Sequence, residues 1–395
     1  MPYHGKSLPH LKPTHEIVLT RMLFTLGLAA TTVGVPLYLV QLGMQDSSIG
    51  IFVGTISLII AVISLLLPPI FEKFNQLRLN ILSSILTGLS FILFSYSNSP
   101  TLALFFIFAS NLSITINLYS LSILFKDSTR TKREFARDSG MMGSLINLSW
   151  FIGPLLGGLM LNYAGVHGLF ILAGALCVLS GIFVVILPFK TAIKRREIID
   201  DNLAENLKFY LSKPMLRVAY FQRMGITLWW GFIWTFIPIF MIRNNYSAAS
   251  VGLFIGISQL PLFLFEFKTV DILSRVSYRT VFILSYLFLG FVCLIAFASP
   301  IFSISLFALF LGSFALSFLE PIIDLFFFDQ VSKLEEEKTY PIYGTSSLIG
   351  STVAKIGVGV GLVILADHVA FLIIAVLMFL IAINATKINS ETINY

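Results

Sequence analysis

Apolar runs of about twenty residues recur along this chain at nearly even spacing, and they constrain its fold more than any other feature. A helix rises ~1.5 Å per residue, so crossing roughly 30 Å of hydrocarbon takes about 17 to 25 apolar residues. Runs of that length fall at 17–41, 47–70, 78–97, 101–125, 138–163, 167–189, 215–242, 247–272, 279–299, 301–327, 341–366 and 368–388. The expected fold is all-α, with twelve membrane-spanning helices that satisfy their own backbone N–H and C=O groups. Composition agrees, since 57% of the 395 residues are hydrophobic and only 12% are charged, against about 25% charged in soluble domains. A soluble globular protein and a disordered chain are both excluded. The two cysteines, Cys177 and Cys293, each lie inside an apolar run and form neither a metal spacing nor a redox pair.

Charge gives the direction of the spans. The connections after spans one, three, five, seven, nine and eleven hold a single basic residue, Arg243. Apart from Lys355 in mid-span, the other Lys and Arg residues lie in or beside the N-terminal tail and the alternate loops, which predicts that both termini are cytoplasmic. The formal charge of +6 therefore reads as membrane topology and not as affinity for nucleic acid. The first span is too long for a signal h-region and lacks a small-residue cleavage site, so it should stay uncleaved. The expected organisation is a tail at 1–16, a six-helix bundle at 17–189, a cytoplasmic linker at 190–213, a second six-helix bundle at 214–388 and a tail at 389–395.

The two bundles are copies. Shifting the chain by 202 positions superposes Arg21 on Arg223, Pro36 on Pro238, Gly50 on Gly252, Gly54 on Gly256, Lys73 on Arg275 and Asp127 on Asp329. A constant shift that aligns Arg, Pro and Asp as well as Gly is not expected by chance. Parallel repeats about an axis along the membrane normal build the central site of one large transporter class.

Over nearly its whole length this pattern resembles the major facilitator superfamily, with VPLYLVQLGMQDSSIGIFVG similar to that family's first helix, outer turn and second helix. PPIFEKFNQLR resembles its G-x-x-x-D-R-x-G-R-R loop in degenerate form, with Pro68, Glu72, Lys73 and Asn75 at the signature positions; VDILSRVSYR, containing Ser274, Arg275, Ser277 and Arg279, is the second copy. Helix five carries Gly140, Ser149 and then Gly153, Pro154, Gly157 and Gly158, similar to an element of drug antiporters. The family's helix-four Arg would fall at Ile107 and is missing. The resemblance implies helices one, four, seven and ten around a substrate cavity, alternating access between the halves, and efflux.

Polar residues inside membrane helices are costly and should face protein or water. Asn111, Thr115 and Ser122 fall on one stripe of helix four, with Tyr119 beside them; Ser313, Ser317, Glu320 and Asp324 form the matching stripe of helix ten. Helix seven repeats it with Arg223, Thr227, Trp230 and Trp234, and helix one with Arg21, Thr25, Leu28 and Thr32. Packing between helices explains any single Ser or Thr, whereas four matched stripes point to a cavity. The indoles of Trp229, Trp230 and Trp234 suit an aromatic or lipophilic substrate.

Counting from the turns near Gly43 and Asn245 puts Arg21 and Arg223 about 22 residues, or roughly 33 Å, deep. Glu320 and Asp324 lie at similar depth, so Arg223 with either is a candidate inner-gate ion pair. Two carboxylates one turn apart disfavour joint ionisation, which makes them the candidate proton carriers; His4, His10, His15, His167 and His368 all lie in the tail or the outer turns. Lys355 lies near mid-membrane and needs a partner, either Glu320 or an anionic group of a substrate. Glu266 and Lys268 read as boundary charges. No phosphate-binding loop, HExxH pair or nucleophile with a His at comparable depth is present, so no enzyme and no cofactor are expected. The expected activity is proton-coupled secondary efflux of small amphipathic molecules by a monomer in the plasma membrane, with H+ and the lipid bilayer as its other partners and no metal. Uptake of an organic anion, sugar or nucleoside is the alternative, and a transporter-like receptor or scaffold is the reading from another class.

Overall fold

A computed structural model describes residues 13–129, 132–186, 202–265 and 276–388. Among these residues there are helices and turns but no strand. The membrane-crossing helices are α1 (Pro13–Gln41), α2 (Asp46–Leu65), α3 (Gln76–Ser95) and α4 (Pro100–Ser128), followed by α5 and α6, which are the two arms of Lys132–Ile186. In the second half, α7 is Pro214–Thr235 continued by Ile237–Arg243, α8 is Ala248–Phe265, α9 is Tyr278–Ala298, α10 is Phe302–Asp329, α11 is Lys333–Ile364 and α12 is Val369–Ala385. Shorter helices, Pro68–Lys73 and Leu203–Ser212, lie between crossings.

Ten segments among the described residues are long and apolar enough to cross a membrane. One of them, Asp138–Val184, has 47 residues, which at ~1.5 Å each exceeds twice a ~30 Å core. It breaks at Gly165, whose φ of 68° and ψ of −169° only glycine adopts cheaply, and so accounts for two crossings. The 17-residue, largely apolar α12 supplies the twelfth.

Local chemistry sets the helix ends. Ser99 caps α4 by accepting from Leu102 N at 3.3 Å with Pro100 behind it, and Ser247 caps α8 by accepting from Ser250 N at 3.2 Å. Ser332 and Glu335 form a capping box on α11. Lys213 Nζ donates to Glu335 Oε1 at 2.5 Å, and this bond together with the Ser332 backbone holds that carboxyl near about 2, below the usual carboxylate range.

The internal repeat is visible in the backbone. Gly43 (φ 85°) and Asn245 (φ 63°) sit 202 residues apart in left-handed turns. The next residue of each, Met44 or Tyr246, donates its backbone N–H to Leu39 O at 3.1 Å or Met241 O at 3.0 Å, the same helix-ending bond in each copy.

The two bundles meet where α2 lies along α11 and α5 lies along α8. Small residues permit the approach. A Cβ on Gly158 would fall 2.8 Å from Gly252 Cα, and one on Gly50 would fall 3.0 Å from Gly359 Cα. Gly153 and Gly157 instead seat α5 on Ala29 and Ala30 of α1, while Gly140 faces open space. Gly252→Ala should therefore force α5 and α8 apart. The expected cost is about 1 to 3 kcal/mol of overpacking, read as a lower thermal midpoint in detergent, with Gly140→Ala as an unaffected control.

Candidate functional site

The ends of the helices differ in how the bundles are fastened. At the end where α1 turns into α2, Arg243 of the second bundle reaches Asp46 of the first, with Nη1 2.7 Å from Oδ2 and Nη2 donating to Oδ1 at 2.9 Å. Arg243 Nη1 also lies 3.2 Å from Asp367 Oδ2 in the α11–α12 turn. Asp46 is only 5% exposed, so this two-pronged bond excludes water on one side. At the opposite end a looser pair, Lys126 with Glu336 at 3.6 Å, joins the bundles between half-exposed side chains.

Deeper in, α7, α10 and α11 converge. Arg223 on α7 pairs with Asp324 on α10, donates from Nε to Ser347 Oγ at 2.9 Å and lies over the Tyr343 ring with its guanidinium carbon 4.8 Å from the centroid. Tyr343 Oη in turn donates to Asp324 Oδ1 at 2.9 Å. All four residues belong to the second bundle. Of the two candidate partners for the inner-gate pair, Arg223 takes Asp324, and since α7 and α10 both belong to the second bundle the pair lies within that bundle. Arg21, the repeat mate of Arg223, has a buried Nη1 with no hydrogen-bond partner among the described residues.

Two turns along α7 from Arg223, Trp230 Nε1 donates to Glu320 Oε1 at 2.7 Å. Trp230 stacks on Trp234 with centroids 5.3 Å apart and planes at 17°, and Trp234 stacks on Trp150 of α5 at 4.5 Å and 3°. Trp229 is turned away and packs against Gly312.

Lys355 reaches toward the first bundle. Its Nζ donates to Ser57 Oγ of α2 at 3.3 Å, beside Thr352 Oγ1 donating to Gly54 O at 3.3 Å. The expected Lys355–Glu320 ion pair is therefore corrected, because α11 turns this side chain toward the facing bundle and not toward α10.

The predicted cavity stripe is only partly assembled. Asn111 and Thr115 bond carbonyls of their own helix, Ile107 O and Asn111 O, both at 2.8 Å, and Tyr119 Oη reaches across to Gly344 of α11. Thr227 donates to Met224 O at 3.2 Å. Ser313 and Ser317 are each 1% exposed, so in this conformation they face packed protein and not an open path. The polar hub of α4 is instead Asn117, whose Nδ2 donates to Ser84 Oγ at 2.8 Å and joins α4 to α3. Of the loop signatures, Asn75 caps α3 by accepting from Leu77 N at 2.9 Å and Lys73 is exposed. The Glu72 side chain, Arg275, Ser274, Glu266, Lys268 and residues 190–201 of the linker lie outside the described residues.

Sequence reasoning missed Trp150, Tyr343, Ser347, Ser57 and the Asp46–Arg243–Asp367 cluster as site residues. Only Arg243 carried a signal, as the single basic residue in the short connections. The rest are ordinary membrane-helix residues until neighbouring helices bring them together.

A family model described as the Major Facilitator Superfamily matches residues 17–265. Among solved structures, a variant of the nucleoside transporter NupG superposes with a TM-score of 0.76 at 13% identity, covering 95% of this chain and 99% of that one. A bacterial homologue of the human lysosomal transporter Spinster, inward-facing and occupied, superposes with a TM-score of 0.73 at 12% identity, covering 95% of each chain. At such identities the likeness establishes the fold alone. A comparison with curated protein sequences yields no match.

Proposed function

The chain belongs to the major facilitator superfamily, and from that membership we propose a secondary active transporter that couples protons to the export of small amphipathic compounds by alternating access. The observation that carries this reading is the unequal fastening of the two bundles. The end holding the Asp46–Arg243–Asp367 cluster and the glycine contacts is tied across the interface, while among the described residues the ion pair joining the bundles at the opposite end is the looser Lys126–Glu336. With the orientation expected from the Lys and Arg pattern, the tied end is the outer one, so this conformation opens inward. Glu320 serves as the proton carrier, reached beside the indoles, and Arg223 with Asp324 holds the second bundle rigid as it rocks. The protein acts as a monomer in the plasma membrane with both termini in the cytoplasm.

Uptake of a nucleoside-like solute is the second reading. It is supported by stacked indoles next to a carboxylate, a setting that suits a heteroaromatic ring. Purified protein in liposomes, given a pH gradient and a panel of dyes and metabolites while internal pH is followed, separates the readings by the direction in which solute and proton move. No proton movement with any solute would defeat both.

The clamp has its own test. Asp46→Asn removes one charge of a pair that is buried on one side, at an expected cost of about 1 kcal/mol, or roughly fivefold in the opening equilibrium. A cysteine placed at Ser47, 7% exposed beside the clamp, should then react severalfold faster with a membrane-impermeant maleimide.

A further inference from the structure

The ammonium of Lys355 stands on the seam between the bundles with a neutral partner. Its Nζ donates to Ser57 Oγ of α2 at 3.3 Å, and that hydroxyl gives its own proton to Val53 O at 3.1 Å. Among the described residues Lys355 makes no other hydrogen bond and no ion pair. Ser57 lies eleven residues after Asp46, about 16 Å along α2 and thus near the middle of the bilayer. We propose that Lys355 is the seat of the solute's charge: the protein carries amphipathic monocarboxylates, whose carboxylate takes this ammonium from Ser57. The proposal rests on the transporter reading above and adds the chemical class of its solute.

Charge and donor count fix that class. An ammonium has three donors and no acceptor, and Ser57 Oγ takes one of them without offsetting the charge. A cation at that depth is costly until an anion meets it, and a carboxylate both neutralises it and accepts its remaining N–H groups. Arg223, further along the same face of α11, is already paired with Asp324, so one ammonium is left for one negative charge. A doubly charged phosphate would bring uncompensated charge into hydrocarbon, and a cationic solute would meet Lys355 with like charge.

The site can be reached, and its occupancy is felt by both bundles. Ser347, Ser351 and Lys355 follow one another at four-residue spacing along α11, and each is partly exposed. That stripe begins at Arg223, which is bonded to Ser347, and at Asp324; both keep part of their exposure. A polar track therefore leads along α11 from a solvent-reached ion pair to the ammonium. Across the seam, Gly50 and Gly54 bring α2 so close that a Cβ on Gly54 would fall 3.1 Å from Lys355 Cβ. The Lys355–Ser57 bond ties the bundles at this point. A carboxylate that takes the ammonium removes that tie, so loading the site loosens the halves for rocking.

The test uses the purified full chain in detergent, titrated calorimetrically with 1-naphthoate and hexanoate as monocarboxylates and with 1-naphthalenemethanol as a neutral ring. Saturable binding of at least one carboxylate is expected, about tenfold or more tighter than that of 1-naphthalenemethanol. Lys355→Met should weaken it about tenfold or more, and Lys355→Arg should retain most of it. Ser57→Ala, which removes the competing hydroxyl, should bind at least as tightly as the wild-type chain. Ser57→Asp gives the ammonium a carboxylate from within, so it should raise the thermal midpoint and abolish carboxylate binding; it serves as the test should Lys355→Met not fold. No saturable carboxylate binding, equal affinity for 1-naphthalenemethanol, or unchanged carboxylate affinity in Lys355→Met or Ser57→Asp overturns the proposal. A bond that only holds the bundles together would make Ser57→Ala as damaging to binding as Lys355→Met, which also overturns it. Liposome transport of other solutes without carboxylate binding overturns this site and leaves the transporter reading standing; carboxylate binding that depends on Lys355, without movement of any solute or proton, does the reverse.

Discussion

Arg223→Met is expected to lower the thermal midpoint of the detergent-solubilised protein, and adding Asp324→Asn should recover most of the loss. Removing one member of a buried ion pair leaves the other charge without compensation, at about 3 to 5 kcal/mol, while removing both is often near neutral. Here the side chains keep 24% and 46% of their exposure, so solvent screening reduces the expectation to roughly 1 to 3 kcal/mol. Tyr343 and Ser347 remain in the double variant and can bond each other's surroundings or water. A double variant no more stable than Arg223→Met would show that the guanidinium matters through Ser347 and the Tyr343 ring and not through its carboxylate partner.

The second large effect is at Glu320. Glu320→Gln should reduce pH-driven transport about a hundredfold or to background, a loss on the scale of a missing proton-transfer group, while solute exchange at equal pH persists because exchange needs no net change in protonation. The structure makes this a clean substitution: a Gln side-chain oxygen still accepts from Trp230 Nε1, so the indole keeps its place. Asp324→Asn is expected to act differently, lowering stability through Arg223 rather than uncoupling the gradient. Wild-type gradient-driven transport in the Gln variant would remove Glu320 from the mechanism.

Lys355 shows where a helical stripe stops being informative. Its depth followed from counting residues, yet depth alone left two partners open, and the direction of its side chain depends on how α11 is rotated against α2. With Gly50 and Gly54 letting α2 come close, the ammonium reaches Ser57 of the opposite bundle. Ser313 and Ser317 teach the same point from helix ten. Their spacing placed them on one face, but the packing of α10 buries that face in this conformation.

What the sequence determined by itself is what short-range physics controls. Runs of apolar residues set the number of crossings because lipid demands a fixed helix length. Gly165, Pro238 and the Ser caps set breaks and ends because they act on their own backbone, and the 202-residue shift revealed two copies because each copy repeats those local signals, down to the left-handed turns at Gly43 and Asn245. Tertiary structure decided everything that depends on the rotation of one helix against another: that Arg223 meets Asp324 within one bundle, that Arg243 bridges to Asp46, and that Trp150 faces Trp234 across the interface. In a membrane helix nearly every side chain is apolar, so the pattern that would reveal which face meets which neighbour is faint, and close packing among small residues makes the choice instead.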